Sequence, residues 1–320
     1  MFTLPTLAEL EAASQIVYEA MPPTLQHCWP LLSARAGCEV WVKHENQTPV
    51  GAFKVRGGLV FLEHLRRTNP QATGIISATR GNHGQSLGFA ARKYGFHAVI
   101  VVPHGNSPEK NASMRALGVE LVEYGRDFQE ANEHASQLAG VRRLYRVPSF
   151  APPLVEGVGT LSLEFLRAVP DLDILYVSIG LGSAVCGAIA AREALGLTTR
   201  IVGVVSAKAP AYALSFAQRK PVSHESATMI ADGMAVRVPD EDALDVICKY
   251  ADRIVEVSDS EIEEAMRAIY SDTHNVAEGA GAAGAAALLK EKDKIAGKKA
   301  GIILSGANVD RAVFARVLAG

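Results

Sequence analysis

Short runs rich in valine, isoleucine and leucine alternate with stretches of helical character, and this rhythm limits the fold more than any other feature of the chain. The runs fall at residues 74–78, 98–102, 120–124, 144–147, 174–178, 200–205, 253–257 and 301–304. Most are unbroken apolar segments, the pattern of parallel strands covered on both faces. Helical patterns lie between them, for example at 107–117, 128–138, 154–167 and 260–270. Asp259-Ser260 ahead of Glu261-Ile262-Glu263-Glu264 is a helix-start signal with acids near the positive end of the helix. The expected architecture is α/β, with parallel sheets and right-handed crossovers.

The chain's 320 residues suffice for two ordinary domains or one large one. A hydrophobic content of 48% with 21% charged residues allows a sizeable buried core. The net charge of −2, with no lysine- or arginine-rich tract, argues against nucleic acid or an anionic membrane as main partner. No apolar stretch approaches the roughly 18 residues of a membrane span, and Met1-Phe2-Thr3-Leu4-Pro5 has no signal-peptide character. Cys28, Cys38, Cys186 and Cys248 are scattered without metal-ligand spacing, so they read as reduced thiols in a cytoplasmic protein. A glycine–alanine segment after Glu278 reads as a helix start pressed against either backbone or a ligand.

In open α/β sheets ligands gather beyond the carboxyl ends of strands, and three such ends carry unusual loops. The first is Thr79-Arg80-Gly81-Asn82-His83-Gly84-Gln85, expected to open a helix at Ser86. A helix start offers unpaired N–H groups to a carboxylate or phosphate, and Asn82 adds an amide. The second is Ile179-Gly180-Leu181-Gly182-Ser183-Ala184, which lacks both the dinucleotide fingerprint and the P-loop lysine, and suits a single phosphate monoester. The third is Leu304-Ser305-Gly306-Ala307-Asn308, where Ser305 can meet a ring nitrogen. Taken singly, each loop also reads as an ordinary turn or a tight strand-to-helix junction. Ala52-Phe53-Lys54-Val55-Arg56-Gly57 sets a lysine between an aromatic ring and a glycine. A lysine amine is a poor nucleophile unless its pKa is depressed, and a Phe-Lys pair equally describes core beside solvent.

Jointly these pieces resemble pyridoxal-phosphate enzymes of the tryptophan-synthase-β fold, and most of all the serine/threonine dehydratase and serine racemase group. That group's ENxQxTGSFKxRGA aligns with Glu45 through Gly58, Thr48 and Val50 being among the departures. Its SSGNHxQ is matched by Thr79 through Gln85, its AGQGT by Glu156 through Thr160, and its ADGIAV by Ala231 through Val236. The resemblance implies a two-domain fold type II enzyme with parallel twisted sheets covered by helices on both faces. Residues 1–48 with 148–320 would form the larger cofactor-binding domain, and 49–147 a smaller mobile one. It implies pyridoxal 5'-phosphate as cofactor, with Lys54 as the catalytic lysine that forms the Schiff base and shuttles the α-proton. Phe53 would stack on the pyridine, Asn82 would bond its phenolic oxygen, Gly180, Leu181, Gly182, Ser183 and Ala184 would hold the phosphate, and Ser305 would face the ring nitrogen. Thr79 with the Gly81–His83 backbone would clamp the substrate α-carboxylate.

The implied activity is an ammonia-lyase (dehydratase) reaction that eliminates water from a β-hydroxy amino acid, of the threonine/serine or 3-hydroxyaspartate/phenylserine type. The products would be a 2-oxo acid and ammonia, and the enzyme a cytoplasmic homodimer. The competing expectations are a serine or aspartate racemase, or a non-catalytic binding protein of the same fold. Arg80 stands where relatives carry a small residue and racemase-like members a serine, which weakens the racemase expectation. Its guanidinium suits a second substrate carboxylate or a phenyl ring, or else an outward ion pair. The family's GVEP cation segment reads Gly203-Val204-Val205-Ser206 here, so no metal is expected at that place. With Gly320 soon after the Ser305 segment, no regulatory domain is expected.

Overall fold

The computed structural model of the protein describes residues 2–320; Met1, which the expected larger domain includes, lies outside them. In chain order the strands are β1 (Gln26–Cys28), β2 (Glu39–His44), β3 (Gly74–Ala78), β4 (His97–Val102), β5 (Glu120–Glu123), β6 (Tyr145–Arg146), β7 (Ile174–Ser178), β8 (Arg200–Ser206), β9 (Arg253–Val257) and β10 (Lys299–Leu304). The helices are α1 (Leu7–Tyr18), α2 (Pro30–Ala36), α3 (Lys54–Thr68), α4 (Asn82–Tyr94), α5 (Pro108–Ala116), α6 (Phe128–Arg142) and α7 (Pro152–Ala168). They continue with α8 (Ser183–Ala194), α9 (Ala211–Gln218), α10 (Glu241–Tyr250), α11 (Asp259–Thr273), α12 (Gly279–Lys290) and α13 (Arg311–Ala319).

Two sheets organise these elements. One runs β1-β2-β10-β7-β8-β9, the other β5-β4-β3-β6. Every pairing is parallel except one, as the apolar runs imply. The exception is the edge strand β1, which lies antiparallel along β2 with Gln26 opposite Lys43. Each sheet is packed on both faces. In the larger one, Val40, Tyr176 and Ile302 join α11 and α12 residues on one side. Leu175, Val177 and Ile303 join α7, α8 and α10 residues on the other. In the smaller sheet, Ile75 and Ile100 meet residues of α3 and α4, and Ile76 and Val99 meet those of α6. Each such side chain contributes about 1.5–3 kcal/mol on burial.

Local signals set the helix boundaries. Ser258, not the expected Asp259-Ser260 pair, caps α11, and a reciprocal bond with Glu261 completes a capping box. The glycine–alanine helix α12 has close backbone approach as its reason. A Cβ on Gly281 would stand 2.3 Å from the Gly306 carbonyl oxygen, and one on Gly279 2.2 Å from that of Ile230. Its small residues therefore let the helix start lie directly against the loop that follows β10.

Candidate functional site

The three loops singled out in the sequence follow β3, β7 and β10, at carboxyl ends of parallel strands. The lysine segment is sewn to one of them. Ala52 makes an isolated antiparallel bridge with Gly306. The Phe53 amide donates to the Ser305 carbonyl at 3.0 Å, and the Ala307 amide to that of Gly51 at 2.9 Å. Thr48, a departure from the family pattern, braces the same turn: its hydroxyl donates to the Ala52 carbonyl and accepts from the Ala52 amide, both at 2.9 Å.

Lys54 is the first residue of α3, and its Nζ lies 5.0 Å from the centroid of the Phe53 ring. Burial in this surrounding pulls the amine below the ordinary lysine pKa, with Glu278 pulling the other way. The amine thereby loses its proton more readily than a solvated lysine, as a nucleophile or base requires.

The loop after β3 runs straight into a helix that begins at Asn82, four residues before the expected start at Ser86. No side chain caps that end. Asn82 Nδ2 donates to Glu278 Oε1 at 2.5 Å, and its Oδ1 accepts from Asn308 Nδ2 at 2.9 Å. An amide nitrogen carries two hydrogens, so one donor remains for a ligand. Thr79 is buried, and its hydroxyl accepts from the Gly81 amide at 3.0 Å. His83 Nε2 and Gln85 Nε2 are buried without a partner among the described residues. Burial first, then Lys54 and Arg146, holds the His83 pKa down at about 3, so the ring is neutral. Arg80 is half-buried and has neither ion pair nor hydrogen bond among the described residues.

The loop after β7 leads into α8, whose first turn also has no side-chain cap. Its leading N–H groups lack intrahelical partners and point out of the helix end. Gly182 has φ +104°, the left-handed region, and a Cβ there would lie 2.6 Å from that of Ala243. A Cβ on Gly180 would lie 2.6 Å from the Gly233 carbonyl. Any larger residue would displace this loop, a constraint that suits a close-fitting anion cradle. Ser305 is buried behind the lysine turn, and its backbone carbonyl holds Phe53 in place.

Glu278, Lys110 and Asp232 escaped the sequence reading as site residues. Lys110 Nζ donates to Asp232 Oδ2 at 2.7 Å and lies 3.5 Å from Glu278 Oε2, near enough for attraction but without a hydrogen bond. Burial works against the Lys110 charge, yet Glu278 and Asp232 outweigh it and raise its pKa. Burial raises the Glu278 pKa, with Lys110 opposing and Asp232 adding to the rise. Glu278 sits just ahead of α12 and its amide donates to the Gly306 carbonyl at 3.0 Å. It thus ties Asn82, Lys110 and the Ser305 loop together. The one sequence signal was an acid set before a glycine–alanine helix.

A protein-family model described as "Pyridoxal-phosphate dependent enzyme" matches residues 22–306. The chain is 31% identical over 314 residues to an L-threonine ammonia-lyase of Thermotoga maritima, covering 98% of this chain and 78% of that protein. It is 30% identical to an L-threo-3-hydroxyaspartate ammonia-lyase of Saccharomyces cerevisiae over 99% of this chain and 97% of the relative. Among solved structures, a pyridoxal 5'-phosphate-dependent aspartate racemase superposes with a TM-score of 0.91 at 25% identity, covering 97% of this chain and 98% of that one.

Proposed function

The chain belongs to the pyridoxal-phosphate-dependent enzyme family, and from that membership we propose an ammonia-lyase that removes water from a β-hydroxy amino acid and yields a 2-oxo acid and ammonia. Pyridoxal 5'-phosphate is its cofactor. Support comes chiefly from Lys54, whose amine is desolvated, faces an aromatic ring and is anchored by backbone bonds to the Ser305 loop.

The residues present fit the cofactor. The uncapped start of α8 and the glycine loop before it suit a phosphate. Asn82 retains one amide hydrogen for a phenolic oxygen. When bound, the cofactor supplies a conjugated system that takes up the electron pair left at the substrate α-carbon. Lys54, whose proton is held less tightly because burial lowers its pKa, accepts the α-proton and hands it on. Thr79, whose hydroxyl hydrogen is free while its oxygen accepts from the Gly81 amide, and the amides of Asn82 and His83 bind the α-carboxylate at the start of α4, where a helix favours anions. The α-proton and the β-hydroxyl leave together as water. Hydrolysis of the product then restores that water and releases ammonia and the oxo acid. Ser305, a neutral hydroxyl, would leave a ring nitrogen held beside it without a full counter-charge, which would favour loss of the β-group. Neutral His83 adds no positive charge beside the carboxylate clamp.

Residues 49–147 form a small mobile domain against the larger unit of 1–48 and 148–320, a division supported by the placement of β3 to β6 in their own sheet. A homodimer belongs to the same reading, and light scattering would detect it. Four unpaired cysteines support a cytoplasmic location. No helix among the described residues is long and apolar enough to cross a membrane.

The deciding experiment incubates the protein with L-threonine, L-serine and L-threo-3-hydroxyaspartate and assays 2-oxo acid and enantiomer composition. Oxo acid formation that vanishes in Lys54→Ala supports the lyase. Inversion without oxo acid would establish a racemase instead, as the aspartate racemase likeness allows. Failure to bind the cofactor would leave only a binding protein of this fold.

A further inference from the structure

Beneath the glycine loop lies a tyrosine that the proposed chemistry does not use. Tyr212, in α9, is 2% exposed, and its hydroxyl donates to the Leu181 carbonyl at 2.9 Å. The same oxygen accepts from the Asp240 amide at 3.1 Å. Asp240 caps α10 by accepting from the Ala243 amide. The Ala243 Cβ is also the atom that a side chain on Gly182 would strike, with the Tyr212 oxygen 3.4 Å from the same point. Tyr212 and the start of α10 together form a floor under residues 181–182.

The directions of these bonds matter. An amide can only donate, so the Asp240 N–H occupies a lone pair of the tyrosine oxygen, and the hydroxyl hydrogen is left to Leu181. In a trans peptide the C=O and N–H point opposite ways. Fixing the Leu181 carbonyl on the floor therefore turns the Gly182 N–H away from it, outward from the protein interior. If that peptide flipped, a carbonyl lone pair would face the anion instead of a donor.

The geometry points to Tyr212 as the positioning residue of the anion cradle: its hydroxyl locks the Leu181–Gly182 peptide so that the Gly182 N–H meets the cofactor's phosphate. This rests on the reading of residues 180–184 as the phosphate site. The phosphate contact, not the packing of the ring, is what the hydroxyl controls. A neighbouring donor to a dianion is worth about a tenfold change in affinity or more.

The test compares two ligands on cofactor-stripped full-length protein, pyridoxal 5'-phosphate and phosphate-free pyridoxal, in the parent and in Tyr212→Phe. Dissociation constants come from fluorescence titration, and the phosphorus resonance of bound cofactor from NMR. The expected result is a loss of about tenfold for the phosphorylated ligand, a change under about twofold for pyridoxal, and a shifted phosphorus resonance. Equal losses for both ligands, or an unchanged preference, would overturn the role of Tyr212. A parent protein that binds both ligands equally would instead overturn the phosphate-site reading. Should Tyr212→Phe fail to fold, Tyr212→Met fills similar space and likewise lacks the hydroxyl that donates to Leu181. The same selective loss is expected there, and an unchanged ligand ratio would again overturn the role.

Discussion

Two residues beyond Lys54, Arg56 lies fully buried and pins the start of α3 to the rest of the protein. Its guanidinium grips Glu45 at 2.8 and 2.9 Å and Glu164 at 2.6 and 3.0 Å, with Thr160 at 3.0 Å. Replacing it by methionine keeps much of the volume but removes the charge. Glu164 would then still have Lys43 Nζ at 2.6 Å. Glu45, fully buried, would keep only the Thr24 hydroxyl at 2.6 Å. One carboxylate is therefore stranded rather than two, and stranding a buried charge costs about 3–5 kcal/mol. Adding Glu45→Gln removes the stranded charge and should recover at least about 2 kcal/mol of that loss. Calorimetric melting of the parent, Arg56→Met and the double variant reads both numbers, the single variant melting lower by roughly 5–15 °C. A loss under about 1 kcal/mol in the single variant, or a double variant no more stable than the single, would refute this account.

Acid stability should also bear the mark of two neutral histidines. Burial holds the pKa of His44 down at about 4 and that of His83 at about 3, both below the ordinary 6.5. The unfolded chain binds these protons first, so stability falls as pH drops below about 6.5, by up to about 1.4 kcal/mol per pH unit for each ring. His44→Asn should flatten the acid limb of a stability–pH curve, and an unchanged slope would contradict the assignment. At Arg80, substitution by alanine should lower kcat/KM for L-threo-3-hydroxyaspartate about tenfold more than for L-threonine, the value of one bidentate carboxylate contact. Equal effects on both substrates would show that Arg80 does not read the side chain. In Lys54→Ala the visible absorbance of lysine-bound cofactor should disappear while the melting temperature stays within a few degrees of the parent.

The central strands were legible because parallel strands buried on both faces must be apolar throughout, as in His97–Val102. β2 escaped notice because its inward residues include Lys43 and His44, both fully buried. Lys43 is tolerated there only because Glu164 and the Thr24 carbonyl meet its amine, and sequence spacing does not reveal partners 121 residues away. The start of α4 was misplaced for a related reason: Asn82 and His83 look like loop residues, and Asn82 is held by Glu278 and Asn308 from distant elements. The lysine, asparagine, glycine and serine loops could each be read as sites by their chemistry. The charge cluster behind them could not, since Lys110, Asp232 and Glu278 meet only through tertiary packing.

The backbone seam between residues 51–53 and 305–307 has a consequence for how the protein comes into being. β10 lies between β2 and β7 in the larger sheet, so that sheet has no centre until the ribosome has made residues 299–304. Lys54 emerges on the order of tens of seconds earlier, at usual synthesis rates. Throughout that interval its turn lacks the strand that shapes it, and the lysine is an ordinary solvated amine. Nascent chains should therefore lack the buried site around this lysine, and tight loading of the cofactor waits until residues 299–307 have been made.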